Sequence, residues 1–157
     1  MKWVVPVMLG AVALSVGSLA SASANHGSTN KIVRLTFTEK NTAGTFVDVD
    51  QSHGQSVGDV FVFQSDLFDP STHAKVGTVE GHCTLITASG DISDCDTSGI
   101  LAGGQIRVSG ESTNGDTNVL AVTGGTGIYR NVRGQLTTTS VDDNTSTDTL
   151  ELIGVQR

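Results

Sequence analysis

The chain has 157 residues, of which 37% are hydrophobic, and it carries 9 Lys and Arg against 16 Asp and Glu. This length suits a single domain, because one hydrophobic core commonly serves roughly 100–200 residues. The net charge of −7 and the lack of a Lys/Arg cluster argue against a nucleic-acid partner, since binding a duplex needs a basic surface that displaces counterions. After residue 30, apolar residues recur at every second position over most of the chain, which excludes a disordered protein.

Residues 1–24 have the pattern of a signal peptide. A weakly basic start precedes an almost wholly apolar run over residues 4–16, and Ala22-Ser23-Ala24 provides small residues where a signal peptidase cleaves. The alternative is an N-terminal membrane anchor, which is less favoured because the run is shorter than the roughly 20 residues that a span needs. We therefore predict cleavage after Ala24, a mature domain over residues 25–157, and secretion to the extracellular space.

Secretion bears on the two cysteines, Cys83 and Cys95. In an oxidising compartment two cysteines are more often bridged than free, although a free Cys83 could act as a nucleophile or proton donor in a pocket. The nearby turn at Ala88-Ser89-Gly90 favours the bridge, because a hairpin loop centred on Ser89 places Cys83 opposite Cys95. Directly paired antiparallel residues have Cα atoms about 4.5–5.5 Å apart, a separation that a disulfide accepts.

Beyond residue 31 the sequence predicts β-structure, because Thr and Val dominate the alternating runs while Gly, Asn, Asp and Ser separate them. A second hairpin is expected at Asn114-Gly115, since both residue types tolerate positive φ. About eight short strands at near-regular spacing indicate an all-β domain, either a sandwich or a closed barrel. The strand signals cover residues 32–38, 45–50, 59–66, 76–86, 94–101, 104–111, 118–123, 131–141 and 147–155.

The sequence motifs do not support nucleotide binding, metal binding or hydrolysis. The run Gly124-Gly125-Thr126-Gly127 lacks the Lys-Ser/Thr of a phosphate-binding loop, so its glycines are expected to permit a bend between two strands. Asp91, Asp94 and Asp96 fit no calcium loop, and the four histidines are scattered, so no metal site is predicted. A Gly-x-Ser-x-Gly nucleophile elbow is also missing from the sequence.

Several segments resemble strands of the plant allene oxide cyclases, in order and without a large insertion over about residues 57–153. The most specific is Gly124-Gly125-Thr126-Gly127 followed by the aromatic Tyr129, a stretch also typical of the dirigent proteins that share this barrel. The resemblance implies an eight-stranded antiparallel β-barrel with a largely apolar cavity, no cofactor, and often a trimer. The other resembling segments are residues 57–63 with 66–69, 77–86, 104–110 and 120–135.

The family's polar cavity positions are mostly changed in this sequence. By the resemblance, the cavity cysteine matches Cys83 and the cavity asparagine matches Ser65. The glutamate and asparagine of the family's first strand fall at Thr36 and Thr38, and its cavity proline has no counterpart near Gly44. The resemblance therefore implies the barrel and its cavity, and we assign no catalytic residue from the sequence.

The direction of the side chains follows from Cys83. If Cys83 points inward, strand alternation turns Val79, Gly81 and Leu85 inward as well, whereas Val33, Leu35 and Phe37 would face outward with Val60 and Val62. Apolar residues on both faces indicate either a subunit interface or a bulge that flips the register. Together with the resemblance, this gives the candidate cavity residues Phe61, Phe63, Ser65, Val79, Leu85 and Tyr129.

Two functions are compatible with such a container, and both have a small apolar molecule as partner. The first is a cofactor-free cyclase or isomerase that steers a reactive metabolite by conformational restraint, with a few polar groups stabilising developing charge. The second is a secreted barrel that binds or carries a hydrophobic ligand without chemistry. A weaker third possibility is a surface protein in which the barrel is only a scaffold.

Overall fold

The computed structural model describes residues 31–156, so the predicted signal peptide lies outside the described residues. Eight antiparallel strands form a closed barrel in which each pairs with its neighbours in sequence and the last pairs with the first. The all-β prediction and the eight-stranded barrel are therefore confirmed, and the sandwich is excluded. The strands are β1 (Val33–Val47), β2 (Val60–Phe68), β3 (Lys75–Leu85), β4 (Ile92–Leu101), β5 (Gly104–Thr113), β6 (Thr117–Gly125), β7 (Arg133–Asp142) and β8 (Thr145–Ile153).

The period-2 alternation of apolar and polar residues separates the interior of the barrel from its surface. Inward rows such as Ile106 and Val108 on β5, or Leu150 and Leu152 on β8, are almost fully buried. The outer surface carries ion pairs between neighbouring strands, which join Arg34 to Glu151, Arg107 to Asp96 and Lys75 to Asp66. Among residues 31–156, no helix has the length and apolar character needed to cross a membrane.

Strand β1 is a single strand of 15 residues, although the sequence predicted two separate ones. Its register to β2 shifts between Asn41 and Ala43, so an extra residue bulges out of the ladder there. The prediction that Phe37 faces outward is wrong, because this side chain is only 9% exposed and packs in the core, as do the half-buried Val33 and Leu35. The bulge is the alternative that accounts for apolar residues on both faces, since one inserted residue reverses the facing of everything beyond it.

Both predicted hairpins are present. In the β3–β4 ladder Cys83 pairs with Cys95 as the loop centred on Ser89 requires, and Gly90 ends that loop at φ +73°. The cysteines are bonded to each other, with their Cα atoms 4.0 Å apart. The β5–β6 turn contains Asn114 and Gly115, but neither has a positive φ; instead the Asn118 side chain accepts a hydrogen bond from the Thr113 N–H (2.8 Å) and closes the loop.

One end of the barrel is closed by the segment that follows β6. A 3₁₀ turn over Gly127–Tyr129 places Tyr129 and Val132 in the core. The glycines of this segment allow close backbone approach, because a Cβ on Gly125 would lie 2.3 Å from the Gln105 carbonyl oxygen and one on Gly127 would lie 2.2 Å from that of Gly103. The predicted bend is thus confirmed, and access to the barrel interior is left to the opposite end.

We expect the Cys83–Cys95 disulfide to stabilise the barrel without being required for it. A bridge closing a loop of 12 residues contributes roughly 3 kcal/mol by restricting the unfolded chain, whereas five of the eight strand ladders involve neither β3 nor β4. Reduction should therefore lower the melting temperature while the far-ultraviolet circular dichroism spectrum at room temperature stays that of a β-barrel. The Cys83→Ala/Cys95→Ala double variant is the control, since its melting temperature should not respond to reductant. Loss of the β spectrum on reduction would contradict this expectation.

Candidate functional site

The interior of the barrel holds a cavity with a volume of about 200 Å³. Inward-facing side chains from all eight strands line it, and most of these are apolar, including Phe37, Val79 and Ile106. The Cys83–Cys95 disulfide forms part of the wall on β3 and β4. The polar side chains on the wall are few, and they are Glu39, Thr97, Ser112, Thr138, Ser146 and Asp148.

The cavity opens at the end of the barrel where the β7–β8 hairpin lies. The mouth shares Glu39, Phe63 and Ser146 with the cavity, and it is lined on one side by the hairpin residues 142–145. On the other side Phe61 stacks on Phe63, with ring centroids 5.9 Å apart. A ligand entering here passes between an aromatic wall and a polar hairpin before it reaches the apolar interior.

Two carboxyl groups meet at the boundary between the mouth and the cavity. The β1–β8 ladder pairs Phe37 with Asp148 and Glu39 with Ser146, so Glu39 and Asp148 are diagonal neighbours on the inner face. Their side chains are hydrogen-bonded to each other, and Asp148 is only 3% exposed. The Ser146 hydroxyl donates a hydrogen bond to Asp148 Oδ1 over 3.1 Å, and Ser65, itself 1% exposed, is hydrogen-bonded to Glu39.

This environment favours a protonated Glu39. The pKa of Glu39 is raised from an ordinary value of 4.5 to about 8, chiefly by burial, and then by the hydrogen bond to Asp148 and the negative charge of Asp148. The hydrogen bond with Ser65 acts the opposite way and lowers it. At neutral pH Glu39 is therefore expected to keep its proton, because two adjacent carboxylates in an apolar wall cannot both ionise readily.

The six residues proposed from the sequence fall into three places. Phe63 and Val79 border the cavity, and Phe61 and Ser65 lie at its mouth. Leu85 is buried at the end of β3, where its backbone is hydrogen-bonded to the loop before β2. Tyr129 is buried at the closed end, where loss of solvent raises the pKa of its hydroxyl.

Neither Glu39 nor Asp148 was among the cavity residues predicted from the sequence. The family resemblance placed the first-strand polar positions at Thr36 and Thr38, but Thr36 is exposed and alternation turns Thr38 to the same outer side. Glu39 could have been recognised as a cavity residue because it follows Phe37 by two positions, so both side chains lie on the same face of β1. The signal for Asp148 was the row that it shares with Leu150 and Leu152, two residues apart along β8.

A second group of acidic side chains lies away from the cavity, in the loop between β1 and β2. Carboxylate oxygens of Asp48, Asp50 and Asp59 approach within 4.8 Å of one another. Asp59 is completely buried, and its two oxygens accept backbone N–H bonds from Val49 (2.8 Å) and Ser56 (2.7 Å). This carboxylate therefore holds the loop in place by hydrogen bonding within the chain.

Solved structures with the same fold include several enzymes. A structure named pyocyanin demethylase is 28% identical with a TM-score of 0.67, and the match covers 76% of this chain and 99% of that chain. A pterocarpan synthase dirigent protein is 19% identical with a TM-score of 0.64, covering 81% of this chain and 97% of that one. AbnU, described as an exo-specific intermolecular Diels-Alderase, is 18% identical with a TM-score of 0.63, covering 79% and 99%.

Because the last two structures are only 19% and 18% identical to this chain, they establish the shared fold and nothing more. A comparison with curated proteins gives no significant match. The family model described as the allene oxide cyclase barrel like domain matches residues 33–151, a span that begins with β1 and ends within β8. The chain therefore belongs to the family of allene oxide cyclase barrel-like domains.

Proposed function

We propose that this barrel is an enzyme that transfers a proton within a small, mainly apolar substrate, as an isomerase or cyclase. The observation that carries the proposal is the buried, hydrogen-bonded pair of Glu39 and Asp148 at the entrance to an apolar cavity. A barrel that only stores a hydrophobic ligand gains nothing from this pair, because burying carboxyl groups costs stability. Strongly perturbed titratable groups in a cleft are instead typical of catalytic sites.

The pair can act as acid and base in one turnover. Asp148 can remove a proton from a substrate carbon or hydroxyl group, while Glu39 donates a hydrogen bond or its proton to an oxygen or nitrogen on the same molecule. One carboxyl group gains a proton and the other loses one, so the substrate is isomerised without net gain or loss of atoms. The apolar wall contributes by excluding water and by restricting the bound molecule to few conformations.

The comparisons support an enzyme more than a carrier. The relative named pyocyanin demethylase is 28% identical and is covered almost completely, and its name denotes chemistry on a small organic molecule. The cavity of about 200 Å³ suits a compound of similarly modest size. The enzyme must be distinguished by experiment from a carrier of hydrophobic ligands. Both functions need the cavity, but only the enzyme needs the carboxyl pair.

We also propose that the mature protein is secreted. The pattern of residues 1–24 supports export, and the Cys83–Cys95 disulfide is compatible with an extracellular location because such bridges persist in oxidising compartments. An exported enzyme would meet compounds that reach the cell from outside or leave it.

The proton held by Glu39 should make the free energy of unfolding depend on pH. The folded state holds the Glu39 proton up to about pH 8, whereas an unfolded glutamate loses it near 4.5. The free energy of unfolding should therefore fall as the pH rises across that window and level off above it, with about 1.4 kcal/mol for each unit of pKa difference. Glu39→Gln, which keeps a hydrogen-bond donor towards Asp148 but cannot ionise, should lack this decrease and be the more stable protein at alkaline pH.

Urea unfolding between acidic and alkaline pH measures this difference. The matched control is Glu111→Gln, since Glu111 is exposed on the outer side of β5 and its replacement changes the charge equally. A Glu39→Gln protein with the same decrease as the wild type would show that Glu39 does not hold the proton.

General-base catalysis can be tested without knowledge of the natural substrate, with 5-nitrobenzisoxazole as a probe. A base removes the proton from its ring carbon as the N–O bond breaks, which releases a coloured cyanophenolate. We expect the wild-type barrel to accelerate this reaction, with a rate that rises as the pair loses its second proton near pH 8. Asp148→Asn should lower the rate by roughly 100-fold or more, and Glu39→Gln should remove the rise near pH 8.

Two further variants separate chemistry from binding. Asp94→Asn makes the same change of charge at an exposed position on β4 and should leave the rate unaltered. Val79→Phe narrows the cavity beside the pair and should weaken probe binding, while the far-ultraviolet spectrum is retained. If the probe binds but the wild type and Asp148→Asn react equally slowly, the carrier function is the correct one.

Export predicts a defined N-terminus. Protein recovered from the culture medium of a host that recognises the signal should begin at Asn25, directly after the Ala22-Ser23-Ala24 site. N-terminal sequencing or intact mass measurement would establish this. Protein that stays inside the cell and still begins at Met1 would refute it.

A further inference from the structure

The charged groups around the cavity are all acidic. Glu39 and Asp148 lie on its wall, and Asp142 and Asp143 lie on the hairpin at its mouth. Within the described part of the chain, no Lys, Arg or His lines either the cavity or the mouth. The negative charge of the carboxyl pair therefore has no cationic partner inside the barrel.

The nearest basic residues are directed elsewhere. Lys40 follows Glu39 in sequence but faces outward, where its ammonium group lies 5.6 Å from the centre of the Phe68 ring. Hydrogen bonds from Asn144 and Thr145 lower the pKa of Asp142, with Lys40 the last contributor in the same direction. Arg34 is engaged by Glu151 on the outer surface, away from the mouth.

We propose that the cavity selects small organic cations, namely compounds whose positive charge is a quaternary or protonated nitrogen within an otherwise apolar, compact skeleton. This inference rests on the proposed function and names the substrate class for the same site. The cation would lie with its apolar surface against the cavity wall and its charge against Glu39 and Asp148. The acidic hairpin at 142–143 would raise its local concentration at the mouth.

The physical basis is the missing counter-charge. An unpaired carboxylate in an apolar wall has lost its hydration, and a cation that arrives there restores a favourable electrostatic partner in a region of low effective dielectric constant. A neutral molecule of the same shape gains only the burial of its apolar surface. An anion would face like charge at both the mouth and the wall, so it should be rejected.

An organic cation fits this cavity better than a metal ion. Calcium needs six to eight oxygen ligands and magnesium prefers an octahedral shell that retains water. The wall offers two carboxyl groups and a few hydroxyl groups among predominantly apolar side chains. A charge that is spread over an aromatic or alkylated nitrogen loses little hydration on entry, because such cations are weakly hydrated.

Titration of the site should couple to the binding of a cation. The groups that face Glu39 are Asp148 on β8 and the acidic residues Asp142 and Asp143 of the hairpin, whereas β2 presents only the non-titrating Ser65. When Glu39 loses its proton, the site gains one further negative charge. By linkage, a cation of fixed charge should bind more tightly as the pH rises through this transition, and its binding should release a proton.

Three probes of nearly the same shape test the proposal: 1-methylquinolinium, which is permanently cationic, its neutral carbon analogue 1-methylnaphthalene, and the anion 1-naphthoate. Equilibrium dialysis against the wild-type protein measures each affinity at neutral and alkaline pH. We expect the cation to bind roughly tenfold more tightly than the neutral probe at neutral pH, with a further increase at alkaline pH. The affinity of 1-methylnaphthalene should change little with pH, and 1-naphthoate should bind most weakly.

Variants test whether the preference for the cationic probe depends on Glu39 and Asp148. Asp148→Asn should bind the cation and the neutral probe about equally while the neutral probe keeps its wild-type affinity, and Glu39→Gln should lose the increase at alkaline pH. Asp94→Asn, on the outer surface, should keep the wild-type preference. Equal wild-type affinities for cation and neutral probe, or binding of neither, would overturn this proposal.

The result is separable from the test of catalysis. If Asp148→Asn abolishes reaction of 5-nitrobenzisoxazole but the wild type shows no preference for the cation, the acid–base function stands and the charge selection fails. If the cation is preferred but no probe is turned over, the selection stands as a property of a binding protein and the catalytic proposal fails.

Discussion

The ladder between β1 and β8 is the constraint on which the barrel and its site both depend. It pairs the chain from Val33 with Leu152 to Lys40 with Thr145 and thereby closes the sheet into a barrel. The same register brings Glu39 beside Asp148, although the two lie near opposite ends of the chain. Barrel closure and the formation of the carboxyl pair are therefore a single event in folding.

Much of the fold could be predicted from local patterns. Alternation and turn residues located the strands from β2 to β8, and the loop centred on Ser89 gave the register that pairs Cys83 with Cys95. A barrel could not be distinguished from a sandwich on those grounds, and the resemblance over residues 57–153 decided between them. The break that was inferred within β1 was wrong, because Asn41, Thr42 and Gly44 are as common in a loop as in a bulged strand.

The site was harder to predict because burial is a property of the closed barrel and not of one strand. The bulge between Asn41 and Ala43 reverses which residues face inward along β1, and without it Glu39 counts as a surface residue. Asp148 lies in a polar stretch rich in Thr and Ser. It becomes buried only when β8 pairs with β1, which comes from the other end of the chain. By contrast, the inward facing of Val79 followed from Cys83 and that of Phe63 from the resemblance, and both are preserved because β2 and β3 contain no bulge over that region.

The carboxyl pair is costly to the fold, and the surrounding residues limit that cost. Ser146 donates a hydrogen bond to Asp148, and Ser65 is hydrogen-bonded to Glu39, so the polar atoms of the pair have partners even though the wall beyond them is apolar. The raised pKa of Glu39 limits the negative charge buried in the wall, because two adjacent carboxylates there cannot both ionise readily. Replacing both groups by well-packed hydrophobic residues would be expected to stabilise the barrel, but the cavity would then hold neither an acid nor a base. Under the proposed function, the two groups serve chemistry inside the cavity and present charge to a ligand, at a cost to the stability of the barrel.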